Sequence, residues 1–525
     1  MNTILGELGK SKKFVELIKN IEEKQSPIGI SGLSNVGMLE TIASINEYSK
    51  KPIAIITYNE IQAKWIMENI QFFTDKAIYF PKKDIVTYDY VAESKDLPYS
   101  RIEALNKINS KRNYILVTTI EAAMQKLPAK QLLYKNTLKF KVGEIHSLDK
   151  IKQNLVNLGY TRCDLIEGRG QFSLRGGILD ISINDAIGVR VEFWGDEIDS
   201  IRNFNIISQR SINTLEKVEI EPAHEYILEK PIEEICKKVR KTIANDEQEE
   251  IIEQDIEQIK AGNYISKIDK YFDCFYDKQE TIIDYLNTNS IITFDEIRKI
   301  EQRAQNIIKD NEQLIKNLIE KGKVVPQAIS NIQTFSSIEN NTKESKKTII
   351  YIEKQDTKIE RQAQNYNFQY RAINYYKSEI ETLFTDIKKA QEKGKNIYVV
   401  VDTKEKVKKL QEILEQENIM SKIEEKLDKT IIVKSQEKII TIAIGKLTEG
   451  FENYEINQVI ISADELIEGG KKKKTFAHQA YKEGEKVVFA DLKIGDYVVH
   501  KNYGIGIFVG VNTITADGTT KDYIK

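Results

Sequence analysis

The sequence predicts a multidomain α/β protein, and three observations carry that prediction. At 525 residues the chain has room for about three or four domains, each with its own core. Apolar runs such as KPIAIITYN and IITFDE alternate with amphipathic helical stretches, and the same succession returns after residue 345. Between them, residues 170–199 read GQFSLRGGILDI and then VRVEFWGDEIDSIR, with the period-2 alternation of half-buried strands. Composition excludes more than it assigns. With 78 basic against 80 acidic residues the net charge is -2, so any nucleic-acid contact is local rather than driven by a global field. Cys163, Cys236 and Cys274 have no CxxC spacing, and His146, His224, His478 and His500 are scattered. No disulfide framework or metal site is expected, and a reducing cytosol is the simplest home. The start MNTILGELGKSKKF has no signal-peptide core and no membrane span is predicted, so the expectation is a soluble cytoplasmic protein.

Taken in order, residues 14–21 read as an amphipathic helix and SPIGISGL as the start of a strand. Residues 32–39, GLSNVGML, keep the GxxxxG spacing of a phosphate-binding loop through Gly32 and Gly37. A working loop continues with a lysine for the β and γ phosphates and a hydroxyl for magnesium. Met38 and Leu39 stand there instead, so the loop is read as degenerate. KPIAIITYN is a buried strand followed by a helix through Trp65 and Ile70. Much later, residues 291–296 form an apolar strand ending in Asp295 and Glu296.

In the hairpin stretch, Val189, Val191 and Phe193 alternate with Arg190, Glu192 and Trp194, while Gly176 and Gly177 permit a bend or a close approach. The outer face then carries Arg190 and Trp194, with Arg175 added from the preceding strand. Arginine and tryptophan are over-represented at protein-binding hot spots. With the flanking text LGYTRCDLIEGRGQFSLRGG, GDEIDSIRNFNIISQRS and EPAHE, this stretch resembles the second domain of the bacterial transcription-repair coupling factor family, a domain shared with the excinuclease B protein. The resemblance implies a surface for the excinuclease A subunit, with Arg175, Arg190 and Trp194 at positions the family uses for that contact. It also implies that Gly32, Gly37, Met38 and Leu39 are the remains of a nucleotide loop. Asp295 and Glu296 would be the vestige of a magnesium-binding acidic motif, in a helicase-like fold that has lost hydrolysis.

Residues 231–260 form a highly charged helical region and 301–321 a long polar helix with Ile307, Ile308, Ile315, Leu318 and Ile319 as its stripe. From about 345 to 466, KKTIIYIEK, KNIYVVVDTKEKVKKLQEILEQ, KTIIVK and KIITIAIGKLTEGF predict a small α/β unit without a glycine fingerprint. The stretch EGGKKKKTFAHQAYKEGE reads as a linker whose lysines 471–474 are solvated. Strands are then expected at 497–500 and 505–511, with a hairpin turn at Ala516, Asp517 and Gly518 leading into a third. The signature GDYVVHKNYGIG resembles the RNA-polymerase-interacting domain of the same family, a Tudor-like or SH3-like barrel shared with CarD-type regulators. The resemblance implies strand addition to the RNA polymerase β subunit, with Ile514 as the anchor. The sequence stops at Lys525 inside an expected strand, which reads as a fragment of a longer product.

The expected organisation is therefore a degenerate P-loop-type α/β domain over 1–126 and 213–344, an inserted α+β hairpin domain over 127–212, and a small α/β domain over 345–466. A linker over 467–489 and the start of a barrel over 490–525 complete it. No catalytic or metal-binding constellation is read in these residues and no cofactor is expected to bind them. The resemblance assigns ATP, magnesium and double-stranded DNA to motor domains of the whole family protein. The alternatives are an excinuclease B-like helicase, which would need an intact GxxxxGK[ST] loop, and a CarD-type transcription regulator, which would leave the Arg175 to Trp194 face without a role.

Overall fold

The computed structural model describes residues 3–83, 96–243, 246–261, 265–320, 332–354, 363–373, 380–424, 439–462, 495, 497–500, 504–516 and 519–524. Its centre is a seven-stranded parallel sheet. The strand order is Gln364–Asn367, Ile28–Ser31, Thr348–Glu353, Ile291–Asp295, Ile53–Thr57, Ile115–Thr119 and Ala77–Phe80. Ile53–Thr57, Ile115–Thr119 and Ile291–Asp295 are buried at every position, because a parallel sheet is covered on both faces. Alternate side chains enter opposite cores. Ala54 and Ile56 join Leu105, Leu127 and Ile300, whereas Ile53 and Ile55 join Leu39, Ile42 and Ile66.

Each core is extended by one further module. Phe172, Leu179, Val189 and Val191 of an inserted sheet belong to the first core, and Val400, Phe451 and Ile460 of a small sheet belong to the second. The inserted sheet has the order Ser211–Leu215, Glu197–Asn205, Ile187–Trp194, Ile178–Ser182, Gln171–Arg175, Thr161–Arg162. Its neck is the antiparallel pair Leu138–Lys141 with Lys217–Ile220. The chain thus leaves and re-enters at 138 and 220, not at 127 and 212, since Leu127 and Pro128 pair with Gln279 and Glu280 outside the insertion. A buried arginine ties the segment that follows the insertion to the end of the main-sheet strand Ala77–Phe80: Arg101 Nε lies 3.0 Å from both Glu225 carboxylate oxygens, and its Nη1 donates to the Pro81 carbonyl at 2.7 Å. After the insertion, the charged region forms two helices, Ile232–Arg240 and Asp246–Lys260, and the long helix is Ile297–Glu320.

The small sheet corrects one expectation. KKTIIYIEK does not open it: Thr348–Glu353 pairs in parallel with both Ile28–Ser31 and Ile291–Asp295 in the main sheet. A run this apolar is stable as a central parallel strand buried on both faces. The small sheet instead begins at Tyr370–Ile373 and has the order Tyr370–Ile373, Gly450–Asn453, Gln458–Ser462, Asn396–Val401, Ile440–Ile444, Ser421–Glu424. KTIIVK and the linker with its lysines 471–474 lie outside the described residues. So does the Asp517–Gly518 turn.

Near the end of the sequence, Tyr497–His500 pairs with Gly504–Ile507, and Val511–Ala516 with Thr519–Ile524. The strand expected over 505–511 is therefore two strands. The break includes Gly510, whose φ of 140° is in a region that side-chain-bearing residues avoid. Among the described residues these are two separate two-stranded ladders rather than one barrel, and Ile514 is paired with Lys521 in register. No helix among the described residues is long and apolar enough to cross a membrane.

Candidate functional site

The outer face of the inserted sheet brings Arg175, Arg190 and Trp194 to one side. Gly176, with φ of 59°, turns the chain between Gln171–Arg175 and Ile178–Ser182. At Gly177 an added Cβ would lie 2.7 Å from the Phe193 carbonyl oxygen, so the glycine lets the next strand close in. Register then places Arg190 opposite Asp180 and Arg202, and Glu192 opposite Ile178 and Ser200.

Asp180 organises this face. Its Oδ1 accepts from Arg190 Nε at 2.6 Å and its Oδ2 from Arg190 Nη2 at 2.8 Å, the bidentate geometry that a guanidinium fork matches. The same Oδ2 accepts from Arg175 Nη2 at 3.0 Å. Asp180 is 1% exposed, whereas the Arg175 side chain is 51% exposed and the Arg190 side chain 16%. Arg190 is further held by Gln209, whose Oε1 accepts from Nη2 at 3.2 Å, and by the Phe204 ring, whose centroid is 4.6 Å from the guanidinium carbon. Hydrogen bonding to Asp180 raises the basicity of Arg190 above its ordinary value. Two guanidinium groups share one carboxylate here, while the neighbouring Glu192 is paired with Arg202 and accepts from the Ser200 hydroxyl. At the open end Trp194 is 86% exposed, and Ile178 on the same side is partly exposed.

The degenerate loop is filled by the chain itself. Gly32 has φ of 73°, and Ser34 caps the helix Asn35–Ser49 by accepting from the Gly37 amide at 3.1 Å. Against this turn lies the segment joining the two sheets: the Phe368 amide donates to the Ser31 carbonyl at 2.9 Å, and the Tyr370 amide to the Gly32 carbonyl at 3.0 Å. A Cβ at Gly32 would collide with the Phe368 carbonyl, and one at Gly37 with the Tyr370 ring. Met38 and Leu39 are fully buried in the second core. Tyr370 donates its hydroxyl proton to Glu40 Oε2 at 2.8 Å, and burial pushes the Glu40 carboxyl up to about 8. These residues do not fit a nucleoside triphosphate: no cation or hydroxyl stands at 38 and 39, and backbone and a tyrosine occupy the cradle.

Asp295 ends its strand two places from Ile28–Ser31 in the sheet, with Thr348–Glu353 between, and Glu296 follows in the turn. Asp295 is fully buried and accepts from the Thr57 hydroxyl at 3.1 Å and from Gln62 Nε2 at 3.3 Å; burial raises its carboxyl above the usual range. Glu296 is paired with Lys299 at 2.8 Å and Lys354 at 3.1 Å. The acidic pair is thus engaged by its own neighbours. Sequence reasoning missed Asp180, Gln209 and the Phe368–Tyr370 plug. A lone carboxylate in the apolar strand ILDIS, with an arginine on each adjoining strand, was the available signal for the first.

Residues 138–226 match the family described as UvrB interaction domain, and residues 492–525 match the CarD-like/TRCF RID domain. These define the class: an α/β chain carrying an interaction domain of the excinuclease B type together with a CarD-like one. Over 543 aligned residues the chain is 27% identical to the transcription-repair-coupling factor of Bacillus subtilis (strain 168), covering 100% of this chain and 45% of that protein. It is also 27% identical over 512 residues to the corresponding protein of Staphylococcus aureus (strain NCTC 8325 / PS 47), covering 94% and 43%. The chain is thus similar along its whole length to part of these transcription-repair-coupling factors, and it spans less than half of their length.

Proposed function

We propose that this chain works in transcription-coupled nucleotide-excision repair as the recruiting and docking part of a coupling factor. The face made by Arg175, Arg190 and Trp194 binds the excinuclease A subunit. Residues 490–525 form a Tudor-like module that adds a strand to the RNA polymerase β subunit, with Ile514 as its anchor. The parallel sheet is a helicase-like fold that has kept its architecture and lost hydrolysis. ATP-driven movement on double-stranded DNA belongs to motor domains of the whole protein, and the setting is the cytoplasm.

One observation carries the reading: Trp194 stands 86% exposed at the end of the strand that carries Arg190, on a sheet face where Asp180 holds two arginines. A large aromatic left in water next to preset guanidinium groups is the composition of a binding hot spot. The test is calorimetric titration of the purified excinuclease A subunit with this chain. Trp194→Ala should weaken association by about 1–3 kcal/mol with unchanged thermal unfolding, and an unchanged affinity would remove the site.

A further inference from the structure

Resting on that reading, we infer that Asp180 is the positioning residue of the partner-binding face: it presets both guanidinium groups without itself meeting the partner. Asp180 is 1% exposed, so a docking protein does not touch it. Yet both of its oxygens are committed outward, one to Arg190 Nε, the other shared by Arg190 Nη2 and Arg175 Nη2. The two arginines come from different strands, and the carboxylate on the strand between them fixes their separation. Phe204 on one side and Gln209 at the fork complete the seat of Arg190. Arg175 is held by one nitrogen and keeps half of its side chain open. Arginines frozen in this way lose less rotamer freedom on binding than free ones, and the rigid fork retains its directionality.

Charge counting opposes positioning here, which makes the inference testable. Neutralising Asp180 adds one unit of positive charge to the face. If the guanidinium groups served only as charges for an acidic partner, Asp180→Asn would strengthen association and steepen its salt dependence. If Asp180 positions them, the same change weakens association in spite of the added charge.

The experiment is surface plasmon resonance at two salt concentrations, with the purified chain passed over immobilised excinuclease A subunit. Asp180→Asn is expected to weaken binding roughly tenfold, mainly through faster dissociation. In an Arg175→Ala, Arg190→Ala background the same change should alter affinity less than about twofold, because nothing remains to be positioned. Equal or tighter binding by the single variant overturns the inference. Where Asp180→Asn fails to fold, Gln209→Asn decides. It withdraws the second acceptor of Arg190 by one methylene, at a position with φ of 57° that asparagine adopts readily. A loss of roughly twofold to fivefold supports positioning and an unchanged affinity overturns it. Trp194→Ala separates the two levels. If it leaves binding intact, the partner face itself is wrong; if it weakens binding while Asp180→Asn does not, only the role of Asp180 falls.

Discussion

The Gly32 loop and the Gly176 hairpin are both glycine-bearing turns beside charged or polar side chains, yet one is closed and the other open. At the loop, Phe368 and Tyr370 occupy the space that the glycines leave, and the Glu40 carboxylate is buried against the Tyr370 hydroxyl. At the hairpin Gly176 turns the chain and Gly177 admits the Phe193 carbonyl, while Arg175 and Trp194 stay exposed. Glycine spacing therefore marks where backbone must come close, and the residues around it decide whether the approaching group is the chain itself or a partner.

Overfilling the closed site should disturb the protein most. Gly32→Val puts a β-branched residue at positive φ against the Phe368 carbonyl, and should destabilise the protein by roughly 3–5 kcal/mol in urea unfolding. Affinity for the excinuclease A subunit, measured on the folded fraction, should stay unchanged.

A somewhat smaller effect sharpens the open site. Arg190→Ala strips Asp180 of its bidentate partner and should cost about 2–4 kcal/mol of stability as well as affinity. Trp194→Ala should cost affinity alone. Equal thermal unfolding of the two variants would mean that Arg190 has no structural share.

The closed site also predicts a pH dependence. The Glu40 carboxyl titrates at about 8 in the folded state against an ordinary value of 4.5, so between those limits the folded state holds a proton that the unfolded state has released. Its contribution is full below the lower value and is lost as pH rises through the upper one. Glu40→Gln removes this slope. Urea midpoints should show the variant gaining steadily on the parent between pH 5 and pH 8. A constant difference across that range would show that Glu40 is ionised throughout.

Restoring the missing nucleotide residues is expected to restore no activity. Met38→Lys with Leu39→Thr rebuilds the loop's text, but Phe368 and Tyr370 still fill the cradle. No ATP hydrolysis should appear in a coupled assay, and hydrolysis abolished by a further Gly37→Val change would contradict the plug.

Much of this contrast was legible in the sequence. KPIAIITYN and IITFDE announce buried parallel strands because they are apolar without alternation, and VRVEFW announces a half-buried one because it alternates. Thr348–Glu353 was legible as a strand but not as a member of the main sheet, since its partners Ile28–Ser31 lie far away in the chain and local pattern is silent on pairing. The same holds for the plug: Tyr370 is one of 25 tyrosines, and only the fold brings it to Gly37. Arg175, Arg190 and Trp194 could be placed on one face by alternation. Asp180 escaped because its role depends on arginines of both neighbouring strands.

A partner that docks on this face covers Trp194, and the fluorescence of that ring reports whether it does. The chain has two tryptophans, and Trp65, which donates to the Thr448 hydroxyl at 2.9 Å, can be replaced by phenylalanine to leave Trp194 alone. On addition of the purified excinuclease A subunit, corrected for that protein's own emission, Trp194 should shift to the blue and lose acrylamide quenching as its 86% exposed ring leaves water. Emission and quenching that stay unchanged while the two proteins co-elute would show that the partner binds elsewhere.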